Sequence, residues 1–199
     1  MNKTRTRDGW LLVEHPVTRP KARVLLLPGL LCTDLIFADM LDDPAMEQAG
    51  VELVAGNPPG FKGQLAPAGF DFRVESYAQM VEELARAEGF DLLVGHSYFG
   101  NVLIEVAARG SYSGKLLLIS PSLYRLAEPN DTRTLDSMSR KPILSGLTWF
   151  ATYLLLKSIF KPYFTEERRD RLEAVVAEAK KTPRATCRRY SLRRYRRRR

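Results

Sequence analysis

The sequence predicts an α/β fold: a mostly parallel, doubly wound sheet between helices, three layers in all, with a helical segment laid over one sheet edge. Three observations predict it. Short apolar runs at residues 24–27, 51–55, 92–95 and 115–119 alternate with segments of helical periodicity. The stretch Asp91–Gly100 reads as strand, tight turn and helix, with Ser97 at the apex. From Ser122 onward the strand pattern stops, and Leu135, residues 143–160 and residues 165–181 read as helices. The expected organisation is a core over 1–121, a helical lid over 122–183 and an Arg-rich tail over 184–199.

With 199 residues and 45% apolar content, the chain is long enough for one domain with a sizeable core. The formal charge of +8 belongs to the tail, because nine arginines and no acid fall between Arg184 and Arg199. The body is close to neutral, so a nucleic acid or acidic partner enters only through that tail. Cys32 and Cys187 lie far apart and match no metal spacing, which reads as two reduced thiols in a cytoplasmic protein. No cofactor motif is present. The polar Met1–Asp8 stretch does not look like a secretory signal, so the Asn2-Lys3-Thr4 and Asn130-Asp131-Thr132 sequons are read as chance. Residues 143–156 are apolar but fall short of the roughly 20 needed to span a bilayer.

In chain order, Asp8-Gly9 turns into a first strand at residues 10–14, placed on the sheet edge because Pro16 closes it. Residues 24–27 form a strand covered on both faces, in the middle of the sheet. Asp34 is expected to cap a short helix through Leu41, and Asp43-Pro44 to start another that Gly50 ends. Residues 51–55 are the next strand, followed by a rigid, turn-rich loop over 56–63 with no phosphate-cradle signature. Ser76 and Gln79 suggest a capping box for an amphipathic helix ending at Gly89. Tyr98 to Arg109 is helical, Gly110 stops it, and residues 115–119 give a further buried strand. Met138, Leu147, Trp149, Phe150 and Tyr153 either line an apolar acyl or alcohol pocket or pack the lid.

A serine on a sharp strand-to-helix bend has the layout of a nucleophile elbow. A hydroxyl is a poor nucleophile until a base takes its proton, and the attacked carbonyl needs donors for its negative charge. On Gly95-His96-Ser97-Tyr98-Phe99-Gly100 the chain resembles the α/β-hydrolase fold family, whose pattern is Gly-x-Ser-x-Gly; Phe99 stands where the second small residue is usual. The resemblance implies Ser97 as nucleophile and the Tyr98 N–H as one oxyanion donor. It also implies a second donor from the loop after residues 24–27, where Pro28-Gly29-Leu30 stands in place of a His-Gly motif, making the Leu30 N–H the candidate. The Gly56–Gly63 loop resembles the Pro-Gly-x-Gly loop of that family. The implied activity is hydrolysis of a carboxylic ester or related acyl compound, or acyl transfer by the same machinery.

The family also needs an acid and a histidine after the serine, carried by two further strands. No histidine follows Ser97; the chain has His15 and His96 alone. Together with the arginine-rich ending, this leads to the expectation of a chain truncated or out of frame near Pro183, lacking its C-terminal strands. The competing reading is a non-catalytic protein that uses the Arg tail on nucleic acid or an acidic surface.

Overall fold

The computed structural model describes residues 2–121 and 142–182. Met138, the Leu135 segment, the second sequon and the Arg-rich tail lie outside them.

Among the described residues, six strands form one sheet: β1 (Lys3–Arg7), β2 (Trp10–His15), β3 (Ala22–Leu27), β4 (Val51–Asn57), β5 (Leu92–His96) and β6 (Lys115–Ile119), in spatial order β1-β2-β4-β3-β5-β6. The first two strands run antiparallel to their neighbours, and β4, β3, β5 and β6 are parallel. Parallel strands put all their carboxyl ends at one rim, which is where such sheets carry ligands.

The alternation inside β3 builds the layers. Leu25 and Leu27 join Tyr77, Val81, Val102 and Leu103 in one core, beneath α3 (Val74–Glu88) and α4 (Tyr98–Arg109). Val24 and Leu26 point the other way, into a core with Phe37 and Leu41. That second face is covered by a 3-10 turn (Asp34–Phe37), α1 (Ala38–Leu41) and α2 (Pro44–Ala49). A third cluster joins Leu31 and Cys32 to Leu156, Phe160, Leu172 and Val176, so α5 (Pro142–Phe160) and α6 (Arg169–Lys181) pack against the loop after β3. Among the described residues no helix is long and apolar enough to cross a membrane.

Several expectations need correction. The β2 strand is not at the edge: Lys3–Arg7 forms β1 outside it, joined by a two-residue hairpin turn with Asp8 and Gly9 both at positive φ. Its Lys-Thr-Arg-Thr-Arg sequence has no apolar face to betray it. The β6 strand was expected to be buried but is exposed: among the described residues it has only β5 beside it, and Leu117 retains 49% of its surface. The β4 strand continues through Gly56 and Asn57, which the sequence assigned to the loop. Thr33, not Asp34, caps the 3-10 turn, its hydroxyl accepting from the Leu35 N–H. The capping box does not form. The third helix starts at Val74, and Asp71 accepts from both the Arg73 N–H and the Ser76 hydroxyl. Asp43 caps α2 as expected, and Gly50 closes it in the left-handed region.

Candidate active site

The elbow is built by a close approach of main chain to main chain. A Cβ on Gly95 would lie 2.5 Å from the Phe99 carbonyl oxygen, and one on Gly100 would lie 2.9 Å from Pro121 Cβ. These two glycines supply the small residues that the bend demands, which leaves position 99 free to be large. Phe99 is fully buried and meets Trp10, Phe61, Tyr77 and Tyr98 edge to face. Ser97 joins β5 to α4 with φ 51° and ψ −110°, a region that a residue with a Cβ seldom occupies. Its side chain is only half-buried, and its N–H donates to the Ile119 carbonyl at 2.8 Å, tying the bend to the end of β6.

The loop after β3 stands beside it. Register pairs Leu27 with Gly95, so Gly29 continues opposite Ser97. A Cβ added to Gly29 would lie 3.1 Å from Ser97 Cβ and 2.9 Å from His96 Nδ1. Residues 29–32 form a turn closed by the Cys32 N–H on the Gly29 carbonyl at 3.0 Å, with Leu31 at φ 62° in the position where a type II turn needs positive φ. That closing bond leaves the Leu30 N–H outside it. Tyr98 is the first residue of α4, where N–H groups point out of the helix end. The Pro28-Gly29-Leu30 loop and Ser97 therefore share one rim.

The two histidines sit differently. His15 pairs with Leu53 near the start of β4, at the opposite rim and with β4 and β3 between it and β5. It contacts Asn2 and Glu47 there. His96 lies against Gly29, and its Nδ1 is buried without a hydrogen-bond partner among the described residues. Burial lowers its pKa below the ordinary histidine value, favouring the neutral ring. Of the expected pocket residues, Phe150 is exposed, while Tyr153 packs beside the Leu31–Cys32 cluster and its hydroxyl donates to the Thr182 carbonyl. The side chains of Leu147 and Trp149 lie outside the described ones.

Sequence reasoning missed a polar cluster at the same rim. Asn57, fully buried at the end of β4, accepts from the Asp34 N–H at 2.9 Å and donates to the Leu11 carbonyl at 3.2 Å. Buried Asp34 holds Lys62 Nζ at 2.6 Å. The only available signal was an Asn closing an apolar run, and it reads equally well as loop. A depression of about 510 Å³ lined by Gln79, Glu82, Arg86 and Arg109 lies toward the far end of α4 from Ser97, so it is not part of this site. No group of three or more metal-ligating side chains occurs among the described residues.

No protein-family model matches the sequence, and no curated protein matches it. Solved structures do. The epoxide hydrolase VrEH1 from Vigna radiata superposes with a TM-score of 0.71 at 17% identity, over 96% of this chain and 70% of its own. The N-acyl homoserine lactonase AidH, complexed with N-butanoyl homoserine, gives 0.63 at 15% identity, over 96% and 68%. A 1H-3-hydroxy-4-oxoquinoline 2,4-dioxygenase gives 0.65 at 17%, over 95% and 69%. Their reactions differ, so the likeness speaks for architecture. Strand order, elbow geometry and these superpositions together show that the chain has the α/β-hydrolase fold.

Proposed function

We propose that this protein is a serine hydrolase of the α/β-hydrolase type, cytoplasmic, acting on a small carboxylic ester or related acyl compound without a cofactor. The observation that carries the reading is Ser97: a partly buried serine on a bend at φ 51° and ψ −110°, with Gly29 of the neighbouring loop against it. A strained non-glycine backbone persists only where surrounding structure enforces it, and such strain gathers at functional sites.

In this reading Ser97 Oγ attacks the carbonyl carbon, and the negative charge that develops on the carbonyl oxygen is received by the Leu30 and Tyr98 N–H groups. Main-chain donors need no particular side chain, so Pro28 in place of a histidine does not remove them. The proton of Ser97 needs an acceptor. His15 lies at the opposite rim, and His96 immediately precedes the serine on its strand. Turnover by this chain is therefore expected thousands of fold below that of a site with a positioned base, as for triad knockouts. Hydrolysis and acyl transfer differ only in what enters second.

Prolonged exposure to a fluorophosphonate probe tests the reading, with Ser97→Ala as the control. Labelling that maps to Ser97 and disappears in the variant supports it. Equal labelling of both proteins, or none of either, overturns it.

A further inference from the structure

Besides the serine, the rim carries a buried ion pair to which the reaction assigns nothing. We infer that Lys62, Asp34 and Asn57 are positioning residues that fix the Leu30 N–H relative to Ser97, an inference that rests on the serine-hydrolase reading above. The turn bearing Leu30 needs an external hold, because Leu31 adopts φ 62° without being glycine. Its near end is fixed by strand β3 and by Gly29 packing on His96 and Ser97. At the far end, Thr33 caps the 3-10 turn, the Asp34 N–H donates to Asn57 and the Asp34 carboxylate pairs with Lys62.

The loop after β4 joins this hold to the elbow. Phe61 and Lys62 are adjacent residues, and the two side chains engage the two halves of the site. The Phe61 ring is buried against Phe99, two residues past Ser97, with centroids 6.1 Å apart. The Lys62 ammonium binds Asp34, four residues past Leu30. Lys62 itself is at φ 49°; the turn before it is closed by the Phe61 N–H on the Pro58 carbonyl, and the turn that contains it by the Gln64 N–H on the Phe61 carbonyl. Gln64 also donates its side-chain amide to the Asn57 carbonyl at 3.2 Å. A buried carboxylate deprived of its cation is costly to keep out of water and is drawn toward it. That movement shifts the segment that presents Leu30.

The test measures fluorophosphonate labelling of Ser97 in the full chain, separated into saturation constant and maximal rate, together with amide hydrogen exchange over residues 29–33. One oxyanion donor is worth about 10²–10³ in rate, so displacing it by Lys62→Met is expected to slow maximal labelling at least about tenfold. The saturation constant should stay within about twofold, exchange in 29–33 should rise, and Lys62→Arg should restore most of the rate. If Lys62→Met fails to fold, Lys62→Gln, which also removes the cation from Asp34 but keeps a polar side chain, is read in the same way. Wild-type labelling rates with unchanged exchange in these variants sink the inference while leaving the hydrolase reading intact. If the wild type itself is not labelled above Ser97→Ala, both fall together.

Discussion

Gly29 and Ser97 meet just past the carboxyl ends of two neighbouring parallel strands: a Cβ on Gly29 would stand 3.1 Å from Ser97 Cβ, with the His96 ring as near. Gly29→Ala is expected to fold, since the His96 ring can turn aside and the Ser97 Cβ at 3.1 Å has to give by only a few tenths of an ångström, but to label at Ser97 about tenfold more slowly because that small shift moves the serine itself. Gly95→Ala is different in kind. Its Cβ would meet the Phe99 carbonyl 2.5 Å away, which is main chain and cannot yield. Circular dichroism should show a folded Gly29→Ala and an unfolded or insoluble Gly95→Ala; two equally folded proteins would contradict the elbow geometry.

Replacing Ser97 separates strain from chemistry. At φ 51° and ψ −110° alanine inherits the backbone penalty and glycine escapes most of it. Ser97→Gly should therefore be more stable than Ser97→Ala by about 1 kcal/mol, or about 2–4 °C in Tm, with neither labelled. Equal melting temperatures would argue against stored strain at this residue.

Burial in the loop after β3 pushes the Cys32 thiol up to about 12. In the folded chain Cys32 should resist iodoacetamide at pH 8 and react on denaturation, as read by mass spectrometry. The linked effect has a definite sign. A folded-state pKa above the unfolded one gives stability that is complete below about pH 9 and declines from there toward pH 12. Cys32→Val should flatten that alkaline decline in a urea-denaturation series. An unchanged slope would count against a buried thiol.

The β6 strand presents Leu117, Leu118 and Ile119 to solvent, with Lys115 its one charge. An apolar strand with exposed surface at a sheet edge tends to associate. Light scattering should show concentration-dependent growth in particle size for the wild type and less for Leu117→Lys, whose melting should change little because the site is exposed. Monodisperse wild-type protein at every concentration would refute this.

Much of the parallel core was legible. The runs at residues 24–27, 51–55, 92–95 and 115–119 all became strands; the first three hold the buried middle of the sheet, where continuous apolar stretches suit a strand covered on both faces, while the last kept its strand but not its cover. The elbow helix over Tyr98–Arg109 and its Gly110 stop were also readable. The first strand was not, because its stability comes from hairpin pairing and from Arg5 and Arg7 reaching Glu88 on α3, a partner more than eighty positions away. The capping error at Ser76 has a similar cause: Asp71 offered the serine hydroxyl a better acceptor.

Local periodicity and turn chemistry determined where this chain makes its parallel strands and the helices between them, and Gly95 with Ser97 marked the bend, because these preferences act over a few residues. Tertiary structure decided what those residues can reach. It brought Gly29 to Ser97 and Lys62 to Asp34, left β6 exposed, and kept His15 at the opposite rim. Strand order and register control such meetings, and they emerge from burying both faces of the whole sheet at once, which no short stretch of sequence encodes.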